Sequence, residues 1–402
     1  MQMQSVTLDQ GGLLNLYPHE IPVIKGILSK RGMSWDCLDT KQGIINIPQQ
    51  YIGYIGLPDR KIIIKPKHPG ITISHILRIY FFLYSAQYSD LNTPMYDVET
   101  GNDVNLIAMF IQEMMSVVHK GLPVEYNEKE ENLNFIKGKL QVVPTSLNIM
   151  MGRRDAFRCI YDDLTRDIPI NRLLLAAVKK IEVYIQNSDI TYIVRQFGNV
   201  DYMNVPGNVE FNKNTAYCKK AVSLAYMILN DLTLSIDGES SSGESLLINF
   251  DRVFEDFIKK VLMEYSRLGK FSYWTAAKNF AFFYQGEEYF ERSYLPDLLY
   301  DYVDKNGRQT ARAILDMKNK TSLPFHNDDI YQMAFYGQML SCKKIILCYP
   351  GNENRSNTVL RFNDERFFLH KIYGVYMNLV GNSAKEFKDN ISSFVYRVEC
   401  LL

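Results

Sequence analysis

Residues 296–318 read PDLLYDYVDKNGRQTARAILDMK, and this stretch decides how the C-terminal region folds. Asn306 and Gly307 form the dipeptide that most strongly indicates a two-residue hairpin turn. A turn centred on them places Asp297 opposite Asp316, with Cβ atoms about 5 Å apart. The same register pairs Leu298 with Leu315, and Tyr300 with Ala313, on one apolar face. It also pairs Asp301 with Arg312 on the other face.

Two carboxylates that face each other across a ladder repel, unless a positive charge lies between them. Period-two alternation places Lys318 on the same face as Asp316, and this polar face is expected to meet solvent. Mg²⁺ prefers such oxygen ligands, and a lysine beside it can orient or deprotonate a water. The pattern therefore predicts metal-dependent phosphodiester hydrolysis. The alternative is that Asp297 and Asp316 are solvated edge-strand carboxylates with Lys318 as their counterion, and the residues alone leave both interpretations open.

Two predicted helices flank this hairpin. The first covers residues 250–267, has one apolar face, and carries Glu255 as a candidate third carboxylate. The second begins at Asn327 as N-cap and runs to about residue 342. Gln332 and Tyr336 are four positions apart on it, so they share a face and can reach back over the hairpin. An ordinary polar helix flank is the alternative for Glu255, Gln332 and Tyr336.

The elements around the hairpin follow a definite order. Residues 280–285, 296–303 and 309–318 are predicted strands, and residues 345–349 are a buried strand that ends before a Pro-Gly pair. The predicted order is therefore helix, three strands, helix and strand.

The N-terminal region is predicted to be rich in β-structure, with helices after it. Residues 44–55 and 61–65 are β-branched runs, and residues 74–85, with Ser74 as N-cap, and 103–119 have helical spacing. The charged stretch 125–132 and the Gly/Ser/acid-rich stretch 236–245 are predicted boundaries. We therefore expect a partner-binding domain over 1–130, a mainly helical domain over 131–235, a linker over 236–245 and a catalytic domain over 246–402.

Composition excludes several classes of protein. The 402 residues include 45 basic and 45 acidic side chains and are 47% hydrophobic, which is typical of a folded globular protein rather than a disordered one. The six cysteines form no C-x-x-C pair, which argues against a zinc ribbon and favours reduced, cytoplasmic thiols. We expect no export signal and no membrane span. The sequence contains no G-x-x-x-x-G-K-[ST] loop, so it offers no such site for a nucleotide triphosphate.

The order Pro296-Asp297, Asp316-Met317-Lys318, then Gln332 and Tyr336, resembles the PD-(D/E)xK nuclease signature with the Q-x-x-x-Y addition of its RecB-like branch. The resemblance implies that Asp297, Asp316 and the Met317 carbonyl bind Mg²⁺, which Mn²⁺ can replace, and that Lys318 positions the attacking water. It also implies that Gln332, Tyr336 and Glu255 support this site.

A narrower resemblance covers most of the chain. Residues 135–140 (FIKGKL), 157–163 (FRCIYDD), Asp167 with Asn171-Arg172, residues 250–257 and the upstream 62–67 (IIIKPK) are similar to McrC, the nuclease subunit of McrBC-type modification-dependent restriction systems, and to its LlaJI-like relatives. The implied partners are double-stranded DNA and a McrB-like AAA+ GTPase ring, which binds the GTP. Asn171 and Arg172 are interpreted as a helix cap and a structural hydrogen-bonding pair.

The expected fold class is therefore α+β and multidomain, with a β-rich and helical N-terminal region followed by an α/β PD-(D/E)xK nuclease domain that has a mixed central sheet. The expected function is a Mg²⁺-dependent DNA endonuclease subunit. Two alternatives are a non-catalytic activator of an AAA+ ring and a RecB-like nuclease with a different substrate.

Overall fold

The computed structural model describes residues 4–30, 37–57, 59–84, 106–183, 185, 188–207, 209–230, 232–237, 241–285, 287–305, 307–321, 324–364, 367–381 and 383–402. In these ranges no helix combines the length and the apolar character needed to cross a membrane. The chain divides into two compact units. Unit 1 joins Met1–Val104 to Asp231–Leu402, and unit 2 is Asn105–Asn230.

Unit 1 begins with short strands and two helices. In chain order these are β1 (Gln4–Asp9), β2 (Leu13–Asn15), α1 (Ile21–Lys30), β3 (Leu38–Asp39), β4 (Ile44–Asn46), β5 (Tyr51–Gly56), β6 (Arg60–Lys65) and α2 (Ile73–Tyr84). The predicted β-branched strands at residues 44–55 and 61–65 are confirmed. Helix α2 begins at Ile73, so Ser74 lies within its first turn and is not its N-cap.

Unit 2 combines helices with a three-stranded antiparallel sheet. Its elements are α3 (Leu106–Lys120), β7 (Glu125–Leu133), β8 (Lys139–Leu140), α4 (Val142–Met150), β9 (Phe157–Thr165), α5 (Pro169–Glu182), α6 (Ser188–Phe197) and α7 (Lys219–Asn230). The predicted boundary at residues 125–132 is wrong, because these residues form β7 and pair along their whole length with β9. Asn171 lies inside α5 and is not a cap; its amide donates to the carbonyls of Pro123 and Arg166.

The rest of unit 1 contains the predicted hairpin. Its elements are β10 (Leu232–Asp237), β11 (Ser241–Asn249), α8 (Phe250–Tyr265), β12 (Phe271–Ser272), β13 (Lys278–Gln285), β14 (Glu288–Tyr294), β15 (Leu298–Tyr300), β16 (Val303–Lys305), β17 (Arg308–Thr310), β18 (Ala313–Met317), α9 (Asn327–Met339), β19 (Ile345–Gly351), β20 (Thr358–Arg361), β21 (Lys371–Asn378) and α10 (Ala384–Glu399). Helix α9 begins at Asn327, so His326 occupies its N-cap position.

One sheet of unit 1 has the strand order β1-β6-β5-β11-β10. The prediction of a linker over residues 236–245 is wrong, because β10 and β11 occupy most of it; residues 238–240 lie outside the described ranges. Gly53 has φ +128, and a Cβ there would overlap the Leu246 carbonyl oxygen, so glycine allows β5 to approach β11.

The central sheet has the order β12-β15-β18-β19-β21-β20 and is mixed, as predicted. Strands β18, β19 and β21 run parallel, and every residue of β19 is buried, which is typical of a sheet covered on both faces. β15 is antiparallel to β18 and pairs Leu298 with Leu315 and Tyr300 with Ala313, so the predicted register is confirmed. Asn306 of the predicted turn lies outside the described residues.

Three details differ from the predicted strand order. The single long hairpin is broken near Asp301, whose φ of +52 interrupts the strand, so β16 and β17 form a separate pair. Asp301 forms an ion pair with Lys270 (3.2 Å) instead of the expected partner Arg312. Strands β13 and β14 form a further antiparallel pair. The sequence predicted only its first strand, at residues 280–285.

Candidate catalytic centre

The two predicted metal-binding aspartates meet at one end of the central sheet. Asp316 lies in β18, and Asp297 directly precedes β15. Asp297 Oδ2 accepts a hydrogen bond from the backbone N–H of Met317 (2.8 Å). Lys318 follows β18 directly, and its N–H donates to the Cys348 carbonyl of β19 (2.9 Å). The parallel pairing of β18 with β19 therefore holds the D-x-K segment in place.

Asp316 is only 2% exposed and the Lys318 side chain 17%, so the expectation that these two residues face solvent is wrong. The reason is that α8 packs against β18 and covers the face that the hairpin alone would leave open. Burial, the negative charge of Asp316 and that of Glu255 together raise the pKa of Asp297 to about 8. Burial also raises the pKa of Asp316, although Lys318 opposes that shift.

The Lys318 ammonium lies among acceptors. Its Nζ is 2.7 Å from Asp316 Oδ2, donates to Gln332 Oε1 (2.8 Å), and is 3.8 Å from Asp329 Oδ1. Burial lowers the pKa of Lys318, but the charge of Asp316, with smaller contributions from Asp329 and Asp297, outweighs burial and raises that pKa above its usual value. The side chain is therefore a fixed cation at neutral pH, suited to orient a water or an anion rather than to remove a proton.

Helix α9 reaches back to this lysine, as predicted. Gln332 Nε2 donates to the Tyr336 hydroxyl (2.9 Å), which in turn donates to the Leu295 carbonyl (3.4 Å). Asp329, which no sequence motif indicated, is a buried carboxylate that accepts two hydrogen bonds from Lys320 Nζ (2.8 and 2.9 Å). The available signal was its spacing, because Asp329 precedes Gln332 by three residues and so shares its helix face.

Glu255 on α8 forms an ion pair with Lys259, and its charge still acts on both aspartates. Among the described residues, no group of three or more His, Cys, Asp or Glu side chains has the arrangement to hold a metal ion. Glu255 as a third ligand therefore stays a prediction.

Two observations nevertheless fit a divalent cation bound through Asp297 and Asp316. The buried Asp316 Oδ2 contacts Lys318 Nζ but has no hydrogen-bond partner of acceptable geometry. In addition, burial first and neighbouring carboxylates second raise the pKa values of both aspartates, so a cation bound between them would favour their charged forms.

A second hydrogen-bonded chain lies next to Lys318, and no motif had indicated it. His68, three residues after β6, donates through Nε2 to Asn319 Oδ1 (2.6 Å). Asn319 Nδ2 then donates to Asp251 Oδ1 on α8 (2.6 Å). The segment that follows β6 is therefore hydrogen-bonded to the residue beside the central lysine.

This chain is similar to known proteins in sequence and in fold. Residues 47–350 match the model of a family described as McrBC 5-methylcytosine restriction system component. No curated protein matches the sequence. A chain in the refined half-complex from the tetradecameric assembly of Thermococcus gammatolerans McrB AAA+ hexamers with bound McrC aligns with a TM-score of 0.52 and 16% identity, over 99% of this chain and 100% of that chain. At that identity the match shows a common fold.

A chain in the cryo-EM structure of the Thermococcus gammatolerans McrBC complex aligns with a TM-score of 0.41 and 18% identity. That alignment covers 65% of this chain and 88% of the other.

Proposed function

Since this chain belongs to the family of McrBC 5-methylcytosine restriction system components, we propose that it is the subunit of a restriction complex that hydrolyses DNA phosphodiester bonds. One observation carries the proposal. Asp297 and Asp316 lie together at the end of a parallel strand pair, and the Lys318 ammonium is 2.7 Å from Asp316. A structural ion pair needs only one carboxylate, whereas this site holds two whose charges are not balanced.

The proposed ligands of Mg²⁺ are Asp297, Asp316 and the Met317 carbonyl, and Mn²⁺ is expected to substitute. When bound, the ion supplies Lewis-acid activation of the phosphate and of a water. Glu255 adds negative charge that favours the cation. Lys318 orients the water and the scissile phosphate, Gln332 fixes the lysine ammonium, and Tyr336 fixes the Gln332 amide. We infer from this arrangement a PD-(D/E)xK nuclease with the Q-x-x-x-Y addition.

We further propose that the chain acts with a McrB-like AAA+ GTPase ring on double-stranded DNA. The fold match to a chain from an assembly of McrB AAA+ hexamers with bound McrC supports this partner. The sequence has no G-x-x-x-x-G-K-[ST] loop, so the ring supplies the GTP site. Residues 1–130, which comprise the first part of unit 1 and the beginning of unit 2, stay the predicted partner-binding region.

The first test is cleavage by the full chain assembled with such a ring. Asp297→Asn and Lys318→Ala are expected to abolish DNA cleavage and to leave GTP hydrolysis by the ring nearly unchanged. Lys343→Ala is the matched control, because Lys343 is exposed and follows α9 away from the carboxylates. Normal cleavage by either site variant would contradict the proposed site. A wild-type complex that hydrolyses GTP but never cuts DNA would favour the activator alternative.

The second test is metal binding measured by calorimetry on the full chain. Wild-type protein should bind Mn²⁺ weakly, because an ion held by two carboxylates completes its shell with water until DNA arrives. Asp297→Asn should lose this binding, and Asp155→Asn, which removes an exposed carboxylate of unit 2, should retain it. Equal Mn²⁺ binding by Asp297→Asn and wild type would remove Asp297 from the ligand set.

A further inference from the structure

A cavity of about 220 Å³ lies beside the catalytic centre. His68 from the segment after β6, Lys320 from the segment after β18, and Tyr349 at the end of β19 contribute to its walls, together with Arg355 and Tyr376. Small-molecule sites usually measure about 300–1,000 Å³. This cavity is therefore the size for one compact group rather than for a whole cofactor.

Arg355 is held in a stack of three planar groups. Its guanidinium carbon lies 3.8 Å from the centre of the Tyr376 ring, and Tyr376 stacks on Tyr349 with ring centres 5.4 Å apart. Among the described residues, Arg355 forms an ion pair with no carboxylate. A stacked guanidinium keeps its N–H donors at the edge, where they match the two oxygens of a phosphate.

The charge of the cavity favours an anion. Lys320 and Arg355 line it, and no acidic residue does. Burial, with smaller contributions from the positive charges of Lys67 and Arg355, lowers the pKa of the neighbouring His68 to about 4. His68 is therefore neutral at physiological pH. Lys320 is ion-paired with Asp329, so Arg355 is the cation of the wall that remains available to a bound anion.

The side chain of Asp329 lies between the cavity and the catalytic centre. Asp329 Oδ1 lies 2.8 Å from Lys320 Nζ, which lines the cavity, and 3.8 Å from Lys318 Nζ. An extended polyanion that occupies the catalytic centre therefore passes the mouth of this cavity.

We propose that the cavity binds a backbone phosphate of the DNA strand next to the phosphate that is cut, with Arg355 as its main donor. This inference rests on the proposed function. It assigns Arg355 and Lys320 to holding the strand in register over Asp316 and Lys318, and it predicts no base preference, because the donors address phosphate oxygens only.

The test is binding of a short fluorescein-labelled duplex to the full chain in EDTA, measured over a range of salt concentrations. Arg355→Ala should lose about tenfold in affinity at low salt, and the slope of log K against log salt should fall by about 1. Asn352→Phe should lower affinity and slope similarly without removing a charge, because Asn352 is exposed at the wall and a phenyl ring there fills the cavity. Arg361→Ala removes an exposed arginine outside the cavity and should match wild type in both quantities.

Unchanged slopes in Arg355→Ala and Asn352→Phe would overturn the proposal, as would an equal fall in Arg361→Ala or a wild-type chain that binds no duplex. The readout in EDTA is independent of cleavage. If Arg355→Ala lowered the salt slope but the wild-type chain never cut DNA in Mg²⁺, the nuclease function would be rejected and the phosphate site would be kept. If the wild-type chain cut DNA normally but both cavity variants had unchanged slopes, the nuclease function would be kept and the phosphate site would be rejected.

Discussion

Asp316 in unit 1 and Asp167 in unit 2 are both aspartates that lie 2.7 Å from a basic nitrogen, yet their pKa values move in opposite directions. Arg172 donates to both oxygens of Asp167, and the Asp201 N–H donates to one of them as well (3.0 Å). These hydrogen bonds, led by that of Arg172, lower the pKa of Asp167. Asp316 is buried, and burial together with the charges of Asp329 and Glu255 raises its pKa in spite of Lys318. One of its oxygens also has no hydrogen bond.

The contrast separates structural ion pairs from a candidate reactive site. The distance to the nearest cation is the same in both, so distance alone carries no functional information. What differs is whether the surrounding donors balance the negative charge. A fully satisfied pair stabilises the fold, whereas an unbalanced buried pair is tolerated at a cost in stability and is available to a cation.

The largest expected difference between the two aspartates is in catalysis. Asp316→Asn should lower the rate of DNA cleavage by at least about a hundredfold, because it removes a metal-binding charge while keeping the side-chain shape. Asp167→Asn should change that rate by less than about threefold, since its role is structural. Single-turnover cleavage by the full chain with its ring measures both. Similar cleavage rates for the two variants would contradict the assignment of Asp316 as catalytic and Asp167 as structural.

The next effect concerns the pH dependence of stability in metal-free protein. Asp297 has a raised pKa, so the folded state holds a proton that the unfolded state has already lost, and stability falls as pH rises from about 4 to about 8. Asp297→Asn removes this loss and should be more stable than wild type at pH above 8, by on the order of 2 kcal/mol. The gain should vanish below pH 4.

Urea unfolding in EDTA, followed by tryptophan fluorescence, is the suitable measurement. The sequence has two tryptophans, Trp35 and Trp274, and both lie outside residues 105–230, so the signal does not come from unit 2. If Asp297→Asn gained nothing between pH 4 and pH 8, the unbalanced charge inferred for this pair would be wrong.

Asp167 should show the opposite sign and a smaller effect. Because its pKa is lowered, it stabilises the folded state above the usual carboxyl pKa, and this stabilisation is lost as pH falls through the lowered value. Asp167→Asn should destabilise unit 2 by about 1–2 kcal/mol at pH 7. Hydrogen exchange of the α5 amides measures the change, with the exposed Asp155→Asn as the control that should match wild type.

The smallest effect tests how each cation is held. Arg172 is fixed by two hydrogen bonds to the carboxylate of Asp167. Lys318 instead depends on Gln332, which Tyr336 holds, for its orientation. Tyr336→Phe removes the acceptor of the Gln332 amide and should slow cleavage about three- to tenfold without weakening DNA binding. Tyr331→Phe, on the exposed side of the same helix, should cleave at the wild-type rate. A loss of DNA binding instead of rate in Tyr336→Phe would assign that tyrosine to the substrate surface.

The sequence predicted the parts of this site that depend on local geometry. The Asn-Gly turn and period-two alternation are short-range signals, and the pairs Leu298–Leu315 and Tyr300–Ala313 are as predicted. The four-residue spacing likewise brings Tyr336 to Gln332, which contacts Lys318. The burial of Asp316 was not predictable in this way, since α8, which covers it, is distant in sequence.

The two wrong boundaries have a related cause. Strand β7 is almost entirely exposed on both faces, so its charged sequence shows no alternation and resembles a linker. Strand β11 contains the Ser/Gly-rich residues 241–245, whose composition favours a loop, yet its remaining residues pair with β5 from the start of the chain. Long-range pairing overrides local propensity in strands, and a single sequence does not reveal that partner.

The pairing of β5 with β11 also imposes an order of events during synthesis. Strands β1, β5 and β6 leave the ribosome early, but β11 follows only after the whole of unit 2 has been made. At about 5–20 residues per second, the edge of β5 waits on the order of 10–40 s for its neighbour. An unpaired strand edge is a template for association with other chains. Aggregation of this protein is therefore expected chiefly among nascent chains, at slow or stalled translation of unit 2, rather than among finished molecules.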